Sequence, residues 1–485
     1  MSSLPIDVGS RRQLFIDDRF VADAHEIEWV LHRPKVLCES LLEPLKPWEQ
    51  GRAGAWSSIM FYQGQFHYWY DAYNWDHNSH HIDHKSHAYC YATSQDGIHF
   101  DKPAVGLFHI DHHNDTNACM RSIEGGPVFL DNQATDDKRF RFIGRWNPVR
   151  GRTWNELAGI SERDTWMFSS PDGLHWIRSS KPFIRRWLGA TQSVVFDNRP
   201  KSWVLFLRAH LPMSPGFTRR AIMRVVVDQL DTELTLPPSV DGNSNAALEN
   251  EWPVVLDVDD LDPPGSQMYV GNIFKYDRAD DIFLGFVPVW HDRRSESNAS
   301  DQVQVQLALS RNGIDWQRPW RKPLFTPQLQ NGNIPGQVFP VQNPVVVGRE
   351  LWLYFNAMEE LHMDKVHVKG NCMLARAIWP LNRFVKLEPQ QHTAEFRTPL
   401  LRFLGNRLLV DADCNDGELR VGIDSETGKP LSGFSTNDCT LVTSEDNDVE
   451  VRWGSKRGLS TLQGQSIRLR FKLTGCSTYG FQFTP

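Results

Sequence analysis

The heptapeptide that begins at Ser94 (Ser-Gln-Asp-Gly-Ile-His-Phe) returns at Ser170 as Ser-Pro-Asp-Gly-Leu-His-Trp and at Ser310 as Ser-Arg-Asn-Gly-Ile-Asp-Trp. The spacings are 76 and 140 residues. The second is close to twice a unit of about 70, so a degenerate copy is expected in between. A Ser/Asp/Gly turn closing on an aromatic at this period is the mark of β-propeller blades. The alternative is a two-sheet sandwich with coincidental turns.

The distribution of apolar strands gives an independent count. Each unit carries two adjacent apolar runs joined by turn residues: 58–62 with 65–73, 127–130 with 139–146, 193–196 with 203–210, 271–274 with 281–290, and 344–347 with 350–358. The connections contain Gly64, Asp131, Asn198, Asp277 and Gly348, residue types that favour hairpin turns. Five pairs imply five blades over residues 45–389. Residues 390–485 alternate apolar and polar residues between Gly, Asn and Asp turns, which predicts a C-terminal antiparallel β-sandwich. Residues 1–44 are expected to pack on the propeller or close it.

The net charge of −7 carries no basic block, which argues against a nucleic-acid partner. No apolar run reaches membrane-spanning length, so no membrane partner is expected. The first residues show no secretory pattern, and the seven cysteines lack framework spacing. Free thiols and a cytoplasmic location are therefore the expectation. Oligomeric state is not legible.

In a propeller the inner strand of each blade starts at the face where its hairpin partner ends. The lead-in segments and the exit loops of all five units should therefore share one mouth. The exit loops are the long polar ones, and long loops on one face of a rigid scaffold are where binding and catalysis concentrate. Carboxylates there could supply acid/base chemistry on a glycosidic bond: Glu124 before the second inner strand as the acid, with Asp71 closing the first exit strand, Asp292 in the fourth unit, or Glu359 or Glu360 in the fifth as its partner. Trp56, Trp75, Trp146 and Trp290 fall near the mouth and could stack on a sugar. Arg145, Gln192, Arg208, His210, His291 and His362 could bind substrate, and the arginines suit an acidic or sulfated sugar. No cofactor is expected. A divalent metal at His77, His80, His81, His84 or His113 is a less favoured reading, because these residues lack an established ligand spacing.

The repeat architecture and its Ser-x-Asp-Gly-x-x-aromatic turns resemble the five-bladed β-propeller glycoside hydrolase superfamily, which includes families 32, 43, 68 and 117. The resemblance covers residues 45–389, and the C-terminal unit is similar to the family 32 layout. It implies an enzyme that cleaves or transfers sugars with acidic residues at the propeller mouth, on an oligosaccharide or glycoside substrate and in an exo-acting manner. Glu124, in its Glu-Gly-Gly-Pro setting, resembles the Glu-Gly-Pro acid of family 43, although it falls in the second blade where that family uses a later one. The family 32 acid before the first inner strand has no counterpart: Trp56 is followed by Ser57 and Ser58. The Arg-Asp-Pro motif is missing too. A non-catalytic glycan-binding propeller and a metal-assisted lyase or hydrolase are the competing readings.

Overall fold

The computed structural model describes residues 4–485 except 51, 55, 77–80, 122, 147–163, 186–187, 190–191, 215–216, 235–251, 270, 295–297, 365–371, 415–416, 444 and 455–457. At 75–76, 81–86, 124, 212–214, 217, 445 and 447 it describes the backbone but not the side chain. The described residues are all-β, with only short 3-10 turns besides strands. No described helix is long and apolar enough to cross a membrane. The chain divides into two compact units, one of residues 34–275 and 283–378, the other of residues 1–33, 276–282 and 379–485.

The larger unit is a succession of antiparallel meanders. In the first, Arg52–Ala53 and Ser58–Tyr62 pair with Gln65–Asp76, followed by His81–Ser94 and Ala118–Arg121. The second sets Ile123–Glu124 and Val128–Leu130 on Phe140–Trp146, then Thr165–Ser170 and Ile177–Arg178. The third runs Ser193–Asp197, Ser202–Ser214, Phe217–Val227 and Val254–Leu256. A ten-stranded sheet holds two further meanders, centred on Ile282–His291 and Glu350–Met358 and joined by a parallel pairing of Val303 with Gln337. Its last strand is Lys35–Leu37, antiparallel to Cys372–Pro380.

Each meander packs on its neighbours in chain order. Trp69 and Tyr89 meet Phe140 and Phe142; Phe129 and Ile143 share a cluster with Trp203 and Leu205; Val204 and Phe206 share one with Phe283 and Val287. Tyr269 and Trp290 then join Phe339 and Met358. Finally Tyr68 and Tyr70 join Trp352 and Tyr354, so the first meander packs on the last. A strand with a sheet on either side buries both faces, which explains why Tyr68, Trp69 and Tyr70 are consecutive and all buried. Ile282–His291 is buried at every position for the same reason.

The repeated heptapeptide is one rigid turn built three times. Ser94 Oγ accepts from the N–H of Gly97 at 2.9 Å, and Asp96 Oδ1 accepts from the N–H groups of Ile98 and His99. Ser170 and Asp172 repeat those bonds, as do Ser310 and Asn312. The fourth residue of the motif needs glycine. Gly173 has φ +77°, and its carbonyl accepts from the Trp69 indole at 2.7 Å. A Cβ there would run into the Trp69 ring.

Burial works against the charge of Asp172, but the N–H and imidazole of His175, the N–H of Leu174 and the Ser170 hydroxyl outweigh it and hold the carboxyl down at about 2. A carboxylate lowered in the folded state adds stability above its unfolded value of 3.8 and loses it as pH falls through about 2. Asn312 serves the third copy with a neutral amide oxygen. Asp172→Asn is therefore expected to cost less than about 1 kcal/mol at neutral pH and to shrink the stability difference between neutral and acid urea melts. An undiminished difference would assign the acid sensitivity elsewhere.

In the smaller unit a six-stranded sheet includes Arg407–Asp413, Ser477–Thr484, Val385–Pro389 and Ile27–Leu31. A four-stranded sheet orders Asp23–His25, Thr393–Arg397, Arg468–Thr474 and Glu418–Asp424. Both point into one core, where Phe15 meets Phe396 and Phe471 edge-on at 5.2 and 5.5 Å. Cys414 and Cys476 form a disulfide in this unit, which corrects the expectation of free thiols for that pair, while the other five cysteines are thiols. The free-thiol reading failed because strand pairing brings together residues 62 apart in sequence, with Cα atoms 4.5 Å apart.

Candidate functional site

Four of the meanders in the larger unit bring polar and aromatic side chains to one region at the ends of their central strands. Asp71 lies within Gln65–Asp76, which continues past it rather than closing there, and is 2% exposed. Its Oδ2 accepts from the N–H of Gly125 at 3.2 Å, and its Oδ1 lies 3.5 Å from His87 Nε2. Burial pushes the carboxyl above its ordinary range; His87, the Gly125 N–H and the Arg52 charge pull the other way without cancelling it. Gly125 must be glycine, since a Cβ there would strike Trp56. Glu124, one residue earlier, pairs its backbone with Arg145, and its side chain lies outside the described set.

Arg52 enters from the lead-in to the first inner strand and pairs with Glu360 at 2.7 Å, both side chains nearly enclosed. Tyr73 feels both Asp71 and Glu360, which places the two carboxyl groups in one electrostatic neighbourhood. Glu359, by contrast, turns away to Asn331 and Asn333.

An aromatic and cationic cluster adjoins this group. Trp56, at φ +53°, stacks on Tyr269 at 5.8 Å and meets Phe339 edge-on at 4.9 Å. The guanidiniums of Arg208 and Arg220 each sit 4.8 Å from the Tyr269 ring centroid. Arg220 also lies 4.7 Å, and Arg294 4.9 Å, from the Trp290 ring. Asp292 holds Arg294 at 3.0 Å and accepts from Gln267 at 2.6 Å, so it positions the cluster. His362 donates from Nδ1 to Gln337, contacts Trp290 edge-on at 4.4 Å, and presents Nε2 to the Tyr269 hydroxyl at 3.4 Å. Burial and the charges of Arg220, Arg294, Arg52 and Arg208 drive its pKa down to about 3, so it is a neutral imidazole.

The remaining expected site residues divide between this region and elsewhere. Gln192 is buried and donates to the Gly189 carbonyl, beside the Arg208 guanidinium. His210 lies opposite Arg220 in the Ser202–Ser214 hairpin. Arg145 is buried at the end of its strand. Trp146 lines a separate cleft of about 500 Å³ with Phe108, Met120 and Trp176. His291 binds Ser266 Oγ at 3.0 Å and lines another cleft, of about 450 Å³, with Pro263 and Gln304. Consecutive strand residues face opposite sides, so Trp290 joins the site and His291 does not. The Trp75 side chain, His77 and His80, and the side chains of His81 and His84 lie outside the described set. His113 packs on Trp48 and His112. Among the described residues no group of three or more His, Cys, Asp or Glu could hold a metal ion.

Tyr269, Gln337 and Arg52 carry the site without having been singled out in sequence. All three lie in the lead-in segments, and that position was the available signal.

No protein-family model matches the chain, and no curated protein matches it in sequence. Solved structures with some likeness include a glycosyl hydrolase from Bacteroides ovatus, 13% identical at a TM-score of 0.47 over 77% of this chain and 98% of that one. Another belongs to the GH130 family of mannoside phosphorylases, described as containing glycoside hydrolases that target β-1,2 mannosidic linkages in Candida mannan; it is 12% identical at 0.46, over 76% and 97%. The exo-inulinase of Aspergillus awamori is 11% identical at 0.41, over 92% and 98%. At these scores none of them assigns a reaction to this chain.

Proposed function

We propose that this chain is a carbohydrate-active enzyme, an exo-acting glycoside hydrolase on oligosaccharides, with acid/base carboxylates at the mouth of a five-bladed β-propeller. The propeller reading draws support from five meanders that pack in order with the first against the last. Residues 45–389 would hold the ring and residues 390–485 a β-sandwich, to which residues 1–33 contribute strands.

The observation that carries the functional reading is Asp71. Glycosidic cleavage needs one carboxyl that keeps its proton to protonate the leaving oxygen, and a second, ionised carboxylate as base or nucleophile. Asp71 is raised by burial, as a general acid should be. Glu124 is the proposed partner: the N–H of the next residue, Gly125, is bound by Asp71, which brings the Glu124 backbone to the same region. Trp56, held from behind by the buried Tyr269 ring, would form the sugar platform. Glu360 is read as the counter-charge of Arg52. The enclosure of Asp71 favours a second reading, a propeller that binds glycans without cleaving them.

The test is release of new reducing ends from a panel of oligosaccharides by the purified chain and by Glu124→Gln. Release by the wild type, reduced at least about 100-fold in the variant, supports hydrolysis. Binding of a panel member without release over long incubation supports the second reading. Equal turnover by both forms removes Glu124 from the reaction.

A further inference from the structure

We infer that Arg220 and Arg208, stacked on Tyr269 beside Trp290, form an oxyanion subsite that takes a carboxylate or sulfate carried by the sugar substrate. This deepens the glycoside reading above and rests on it.

Arg208, Arg220 and Arg294 approach two adjoining aromatic rings, so like charges crowd a small volume. Arg294 has its carboxylate in Asp292, and Arg52, farther along the site, has Glu360. Arg220 differs. Its Nε and Nη1 are buried and have no hydrogen-bond partner among the described residues, while its backbone N–H is bound to Gln267. Burying guanidinium donors without an acceptor is costly, and an arriving oxyanion removes that cost with paired, charge-assisted bonds.

The surroundings exclude competing uses. The ring faces of Tyr269 and Trp290 hold the guanidinium planes in place, so donors stay oriented when no ligand is present. His362 faces the same cluster as a neutral imidazole, so it adds no repelling charge to its neighbours and no anion of its own. The stack of Trp56 on Tyr269 continues the platform toward Asp71, which would set the anionic substituent on one side of the sugar and the reacting bond on the other.

The test titrates the wild type, Arg220→Gln and Arg220→Lys with trigalacturonic acid, its carboxyl-reduced neutral counterpart, a sulfated trisaccharide, and inorganic sulfate and phosphate, reading tryptophan fluorescence and heat. The wild type is expected to bind an acidic or sulfated trisaccharide at least about tenfold tighter than the neutral one. Arg220→Gln should abolish that preference and keep the wild-type melting temperature; Arg220→Lys should retain part of it. A preference for the carboxylate over the sulfate, or the reverse, identifies the substituent. Equal affinity for acidic and neutral sugars in the wild type, or an undiminished preference in Arg220→Gln, overturns the subsite. Arg220-dependent binding of inorganic phosphate or sulfate with no binding of any sugar keeps an oxyanion site and sinks the glycoside reading. Cleavage of neutral glycans with no anion preference does the opposite.

Discussion

Asp71→Asn is expected to lower turnover of a cleavable oligosaccharide by about 10²–10⁴-fold, the range for loss of a general acid. Stability should hold or rise, because the amide removes a carboxyl that burial already disfavours in its charged form. The sign of the pH effect follows from the raised folded value. The folded chain keeps the Asp71 proton over a range where the unfolded chain has lost it, so the stability this group contributes falls as pH rises through the folded value. The rate should fall over the same rise, as the acid loses its proton, and the alkaline limb of kcat/KM should report it. Residual activity in Asp71→Asn should lack that limb. A variant with the wild-type profile would show that another group donates the proton.

The second large effect concerns the buried pair of Arg52 and Glu360. Arg52→Met removes from Glu360 a guanidinium 2.7 Å away, in a pair whose side chains are only 12% and 6% exposed. Breaking a pair of this kind costs about 3–5 kcal/mol, whereas replacing both members by apolar groups of similar volume is close to neutral. Urea melts of Arg52→Met, Glu360→Leu and the double variant should therefore show two costly single changes and a double that recovers much of the loss. Additive losses would mean that the two side chains act independently. The same comparison bears on function. Arg52 is one of the four cations near His362, but burial and the other three arginines keep that imidazole neutral without it, so loss of binding in Arg52→Met beyond the loss of stability would report a contact of Arg52 with the substrate.

Local chemistry was legible in the sequence, and the meeting of distant side chains was not. The turns at Ser94, Ser170 and Ser310 depend on bonds spanning three residues, so the motif announces them. The hairpin at Ser58–Tyr62 and Gln65–Asp76 was readable from an apolar run on either side of Gln63 and Gly64, and the structure pairs Tyr62 with Gln65. The site draws on Arg52, Arg220, Tyr269 and His362, which come from four meanders and carry no shared local pattern. Their meeting is a property of packing between sheets. Strand parity was the other missing information: Trp290 and His291 both lie at the end of one strand, and only the pleat decides which of them faces the site. Histidine density was a poor guide for a related reason. The histidine that organises the site is His362, whose role comes from the arginines around it.

The most direct measurement is a crystal structure of Glu124→Gln with an oligosaccharide identified in the release assay. The account predicts a sugar ring on Trp56, with a glycosidic oxygen within hydrogen-bond reach of Asp71. A sugar seated only in the cleft of Trp146 and Trp176, or an Asp71 still sealed from the bound sugar, would contradict it.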